Sequence, residues 1–153
     1  MLGTAINRWV AEEERIVAES HVLRYHEAPV FDRGTGVKTH LLVSRQLGSE
    51  NLTSGVTEFD PGAQIARHWH NCDESVVILE GEAVCEINGE LHPMSPYDTT
   101  FVPANIPHRF LNQSQQPMKI LWTYAAGYVT RTFADSGITV EHLSVTDRAA
   151  PTT

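Results

Sequence analysis

From Val37 onward the chain runs in short β-rich segments broken by Gly, Pro, Asn and Asp: VKTHLLVSR, TSGVTEF, SVVILE, EAVCEI, TTFVP, HRFLN and MKILWTYAA. β-Branched and aromatic residues fit a pleated, half-buried surface, and the punctuating residues fit turns. Several of the segments recur about every 8–12 residues, the spacing of an antiparallel sandwich or barrel. Asn88-Gly89 stands between EAVCEI and ELH, where a type I′ turn needs positive φ at both central positions. The chain turns back there, and the fold class read from this pattern is all-β. A later segment, ITVEHLS, sets Ile138, Val140 and His142 against Thr139, Glu141 and Leu143, so it reads less cleanly as one-sided.

Ahead of this region, INRWVAEEERIVA (residues 6–18) places Ile6, Trp9, Val10, Ile16 and Val17 near helical spacing, with Glu12-Glu13-Glu14 turned away. The chain therefore divides into a helical extension (residues 1–20), a β-domain (21–146) and a tail (147–153). The tail, DRAAPTT, carries no packing signal and is expected to fray. With 153 residues, one domain with one core is expected.

Eleven Lys+Arg against 19 Asp+Glu give a formal charge of −8, which repels phosphate backbones and anionic lipid headgroups. Nucleic acid and membrane surfaces are thus not expected partners. The opening residues lack the basic-then-apolar layout of a secretion signal, and no apolar run is of spanning length, which leads to a cytoplasmic expectation. Cys72 and Cys85 are too few for a disulfide framework and are expected to stay free.

The chemistry concentrates in GAQIARHWHNCDESVVILEG, residues 62–81. In an extended strand His68 and His70 share a face, with Trp69 on the other. After the NCD turn, Glu74 opens the next strand and can bring a carboxylate to the same point. His108 follows Pro107 in FVPANIPHRFLN, where the fixed φ of proline stiffens the strand entry. Three neutral imidazoles and a carboxylate make a mixed N/O donor set suited to iron, manganese, nickel, zinc or copper, and a six-coordinate ion would keep two positions open. Taken singly, each of these residues has an ordinary explanation. Together they do not, because burying several such groups side by side without a cation is costly.

These residues resemble the cupin superfamily. Gly62, His68, His70, Glu74 and Gly81 fit its first motif, G-x5-H-x-H-x3-E-x6-G, and Pro103, His108 and Asn112 fit its second, G-x5-P-x-G-x2-H-x3-N. Two glycines of the second motif are replaced, by Tyr97 and by Asn105. Asn tolerates the left-handed backbone well; Tyr97 either changes the SPYD loop or sets a phenol near the barrel mouth. The resemblance implies a small single-domain cupin, a double-stranded β-helix or jelly-roll barrel. It implies that His68, His70, Glu74 and His108 hold a divalent transition metal, with Fe(II) the leading choice.

Residues sharing parity with the ligands, Val76, Ile78 and Phe110, are expected to line a substrate pocket together with Tyr97. The strand MKILWTYAA adds either Trp122 and Tyr124 or Leu121 and Thr123, and the pattern leaves both open. Arg131 reads as a surface ion pair, and His21, His26, His40, His92 and His142 have no spacing partner and receive no role. The expected function is a metal-dependent enzyme acting on a small organic molecule, with an Fe(II) dioxygenase first. A metal-assisted isomerase or decarboxylase and a non-catalytic metabolite-binding module stand as alternatives. The apolar N-terminal helix and open sheet edges favour a homodimer.

Overall fold

The computed structural model describes residues 18–150, and the N-terminal extension expected over residues 1–20 lies almost wholly outside them. Twelve strands form two antiparallel sheets. The first runs in the order β1 (Val30–Gly34), β2 (Val37–Val43), β3 (Thr53–Phe59), β10 (Met118–Tyr124), β5 (Glu74–Glu80) and β8 (Thr99–Val102). The second runs β12 (Thr139–Glu141), β11 (Thr130–Phe133), β4 (His68–His70), β9 (His108–Leu111), β6 (Ala83–Ile87) and β7 (Glu90–Met94). Consecutive strands repeatedly switch sheets, so the two leaves close face to face in a jelly-roll arrangement. Among the described residues no helix is long and apolar enough to cross a membrane.

The core follows from alternation. In β10 every second residue is buried, which puts Met118, Ile120, Trp122 and Tyr124 inside and leaves Lys119, Leu121 and Thr123 partly exposed. This settles the parity left open by the sequence. Register places Trp122 opposite Val76 and Tyr124 opposite Glu74, so the aromatic pair faces the same interior as the head of β5. The Trp122 indole donates to Thr57 Oγ1 at 2.9 Å, and Thr57 and Thr39 hydroxyls lie 3.0 Å apart, which satisfies the polar atoms buried between β2, β3 and β10. Gly55 makes room for that ring: a Cβ there would stand 2.4 Å from the Trp122 ring and 2.5 Å from the His40 carbonyl oxygen.

The β6–β7 turn is as expected, with Asn88 at φ 49° and Gly89 at φ 83°. The second motif's asparagine is structural. Asn112, 1% exposed, donates through Nδ2 to the carbonyls of Asp60 (3.0 Å) and Gln116 (2.8 Å), and its Oδ1 accepts from the Ser114 amide and hydroxyl. It ties the β9–β10 loop to the end of β3.

Tyr97 is a correction to the expected pocket. The Asp98 amide donates to the Ser95 carbonyl at 3.0 Å, closing a turn with Pro96 at its second position and Tyr97, φ 73°, at its third. That position of a type II turn demands positive φ, which is why the motif carries glycine there. The chain keeps the turn and points the phenol outward, 81% exposed, away from the interior. Asn105 likewise keeps a left-handed backbone at φ 65°. Tyr97→Gly is expected to raise stability by roughly 0.5–1 kcal/mol, because relief of left-handed strain exceeds the added chain entropy of glycine. A thermal melt a few degrees higher checks this.

The described part of the tail, residues 147–150, is a second correction. Asp147 and Ala149 are buried, and the segment from 142 to 149 forms a strap tied at one end by the His142 amide to the Val129 carbonyl and at the other through Ala149. Its partners are remote: the Ala149 amide donates to the Arg33 carbonyl and its own carbonyl accepts from Ala66.

Candidate metal centre

The two sheets bring the four donor residues to one point. β4 buries His68 and His70 on its inner face and leaves Trp69 half-buried, as period two requires. β9 lies beside β4 with His108 directly opposite His68. Glu74 enters from the other sheet, at the first position of β5. The NCD turn that swings it across is pinned by its own side chains: Asn71 bonds the Tyr128 carbonyl and the Thr130 amide, and Asp73 accepts from the Ala104 amide.

The imidazole centroids lie 4.7 Å (His68 to His108), 4.8 Å (His68 to His70) and 5.3 Å (His70 to His108) apart. One nitrogen from each ring falls within 4.8 Å of the others. Glu74 Oε2 stands 3.1 Å from His70 Nε2, and Oε1 stands 3.4 Å from His108 Nε2. All four side chains are no more than 4% exposed.

The hydrogen bonds fix the tautomers. His68 Nδ1 lies 2.7 Å from the Ala66 carbonyl oxygen, His70 Nδ1 2.9 Å from that of Thr130, and His108 Nδ1 2.8 Å from that of Ile106. A carbonyl only accepts, so each Nδ1 carries the proton, and in the neutral ring each Nε2 presents a lone pair. Nε2 of His70 and of His108 makes no hydrogen bond among the described residues. Lone pairs and a carboxylate therefore converge in a dry interior, an arrangement that a cation satisfies and that backbone carbonyls orient in the manner of metal-binding histidines.

The charges agree. Burial, the nearby Arg131 charge and the neighbouring imidazoles push His68 well below its usual pKa, and burial lowers His70 despite Glu74. Burial works to raise Glu74, but His108 and His70 outweigh it and hold the carboxyl well below the usual range. For His108 burial opposes protonation, and the adjoining Glu74 wins, raising its pKa. A divalent cation thus competes with a single proton on His108. The donor set and its lone-pair geometry fit such an ion, and the three histidines can hold it.

The family model of the Cupin domain matches residues 55–124, which span the whole of the first motif and the ligand histidine of the second. Over those residues the chain carries a Cupin domain. The chain is 24% identical over 111 residues to the tetracenomycin polyketide synthase protein TcmJ of Streptomyces glaucescens, covering 72% of the chain and 74% of TcmJ. It is 26% identical over 95 residues to the polyketide synthase CurC of Streptomyces cyaneus, covering 61% of each. The chain thus spans about three fifths of the length of CurC. Among solved structures, the polyketide cyclase RemF from Streptomyces resistomycificus superposes with a TM-score of 0.62 at 16% identity, over 69% of this chain and 79% of that one. Other structures of the same fold bear unrelated activities in their names, so the likeness shows the architecture of the cupin alone.

Around the donor cluster, Tyr124 lies with its ring 4.5 Å from His70, and Trp122 stands 4.9 Å from Tyr124. Val76, Ile78 and Phe110 are buried in the core, as their parity implied. Cys85 is core packing and Cys72 is buried in its turn; both are free thiols, and burial pushes them to about 12 and about 11.

Arg131 departs from the expected surface ion pair. It is 1% exposed, lies opposite His70 in the β11–β4 register, and its Nε stands 3.3 Å from Asp147 Oδ1. Arg33 Nη2 reaches the same oxygen at 2.9 Å, so two guanidiniums share one carboxylate. The sequence carried a signal: Val129, Arg131 and Phe133 share a face in GYVTRTF, so the arginine sits on the apolar side. His142, given no role from the sequence, has its ring centroid 6.2 Å from His70 and 5.0 Å from both Trp122 and Tyr124. Its parity with Ile138 and Val140 was the available clue.

Proposed function

We propose that this cupin is a divalent-metal enzyme acting on a small, flat, oxygen-rich organic molecule of the aromatic polyketide kind. The observation that carries the reading is the convergence of three protein-oriented Nε2 lone pairs and one carboxylate at a single buried point. The polyketide names borne by TcmJ, CurC and RemF support the substrate class. A bound divalent ion supplies Lewis-acid polarisation of a chelated carbonyl oxygen.

The chain's own residues do the rest. Trp122 and Tyr124 form an aromatic wall next to His70, suited to a planar ring system. Burial and the Glu74 charge raise the Tyr124 phenol well above its usual pKa, so it keeps its proton and acts as a donor. His68, His70, Glu74 and His108 hold and orient the ion, and no protein nucleophile is needed. This favours proton-shuttling carbon chemistry at an enolisable position. Fe(II) dioxygenation is the second reading, because the same donor set leaves positions open for a chelating substrate and dioxygen.

The test is elemental analysis of protein purified without added metal. Stoichiometric metal is expected in the wild type and in His92→Ala, whose ring is half-exposed on β7, and loss of it in His68→Ala. Equal retention in both variants, or no metal in any, would overturn the proposal. Iron-loaded protein given acetylacetone then separates the two readings: dioxygen uptake selects the oxygenase, and faster exchange of the central C–H for deuterium without uptake selects the enolising enzyme.

A further inference from the structure

The four ligands are sealed from solvent, but the strap leaves an opening one ring away from them. Between β1, β2 and the strap lies a cavity of about 320 Å³, lined by Phe31, Leu41, Leu143 and His142, with Ser44, Arg45 and Glu141 also on its wall. The inner side of the His142 ring meets Trp122 and Tyr124 nearly edge-on, at 84° and 78°, and the outer side faces the cavity. The His142 ring is thus the partition between open space and the aromatic wall beside His70.

His142 is held there by backbone and not by its ring. Its amide donates to the Val129 carbonyl at 2.9 Å, Leu143 takes a left-handed φ of 61°, and the Leu143 amide is capped by Asp147 Oδ2 at 2.7 Å. A non-glycine residue in that region is strained and persists because the surroundings over-determine it. Among the described residues nothing hydrogen-bonds the His142 ring nitrogens, whereas His68, His70 and His108 each commit Nδ1 to a carbonyl. An imidazole with both nitrogens uncommitted, standing beside the apolar Phe31, Leu41 and Leu143, is a polar group available to fix the orientation of a ligand in this cavity.

We propose that this cavity is the substrate pocket of the centre and that His142 is the residue that hydrogen-bonds the substrate's oxygen edge. The inference rests on the proposed metal-enzyme reading for its purpose, and it adds the position, the contacting residue and the ligand chemistry. The occupant is a flat fused ring, apolar across its faces for Phe31, Leu41 and Leu143, with hydroxyl or enol oxygens along the edge that meets His142. Behind the His142 ring lie Tyr124, at 5.0 Å between ring centroids, and His70, at 6.2 Å, so the cavity stands next to the ligand cluster.

The test titrates 3-hydroxy-2-naphthoate, followed by its own fluorescence, into metal-stripped and metal-loaded protein. His142→Ala is expected to weaken binding about tenfold in both forms, the ordinary loss for one ligand hydrogen bond in a dry pocket. His142→Gln, which keeps a donor and an acceptor, is expected to recover part of it, and Ser44→Trp on the wall to block the cavity. Naphthalene, which has no oxygen edge, is expected to bind wild type and His142→Ala alike; a merely structural His142 would shift both probes together and overturn the proposal. Unchanged hydroxynaphthoate binding in His142→Ala and Ser44→Trp would also overturn it, with the metal content left intact. Absence of metal with hydroxynaphthoate binding still sensitive to both variants sinks the metal-enzyme reading alone and leaves the pocket standing.

Discussion

Asp147→Ala is expected to cost about 3–5 kcal/mol of stability, the loss found when one partner of a buried ion pair is removed. The carboxylate is fully buried, accepts hydrogen bonds from Arg33 Nη2 and the Leu143 amide, and forms an ion pair with Arg131, whose Nε lies 3.3 Å away. Removing it leaves two guanidiniums, 3% and 1% exposed, facing each other without a counter-charge and frees the strap that carries His142. Against the usual total of about 5–15 kcal/mol this is a large fraction. The same group predicts acid lability. Burial works to raise its pKa, but Arg131 and then Arg33 hold it at about 2. A carboxyl depressed in the folded state stabilises above its unfolded pKa of about 3.9, and that contribution, roughly 2 kcal/mol, is lost as pH falls towards 2. Melting curves between pH 7 and pH 2.5 check both points. The wild type should lose stability over the acid part of that range, and the variant should start lower and lack this component. A variant melting within two degrees of wild type at pH 7 would show that the network does not hold the strap.

The second large effect is expected from metal itself. An ion that binds only the folded chain stabilises it by about 2.7 kcal/mol at one hundred times its dissociation constant. For a domain of this size that is a rise of roughly 5–10 °C in melting temperature. His108→Ala should abolish the rise, because it removes a donor and the competing proton together. The shift should also shrink with acidity: the pKa of His108 is raised by Glu74, so as pH falls through it the proton outcompetes the cation. A shift that is as large in His108→Ala as in wild type would place the metal elsewhere.

Much of this site was legible before any coordinates. Period two put His68 and His70 on one face, a turn separated them from Glu74, and Asn88-Gly89 dictated its own hairpin. These are local rules, and they held. Tyr97 was misplaced because the identity of the residue was read and the turn was not: Ser95-Pro96 already specified a left-handed third position, and that geometry turns the side chain away from the barrel. Arg131 and Asp147 were misread for a different reason. Arg33 and Asp147 are 114 residues apart, and no local pattern announces that three charges so distant in sequence will share one dry space. The start of the segment DRAAPTT looked unstructured because the partners that anchor Asp147 and Ala149, Arg33 and Ala66, lie far away in the sequence. His142 lay between the two cases, on the right parity but with its neighbours contributed by β10 and β4.

Three of the candidate ligands belong to one leaf of the sandwich and the fourth, Glu74, to the other. A bound ion would therefore act as a rivet through both leaves, placed where β4 and β5 are joined only by a short turn. The centre exists only once the leaves have closed, so its affinity for a cation reports on the assembly of the whole barrel. Any slip of one leaf against the other would pull the carboxylate out of reach before it disturbed a single imidazole.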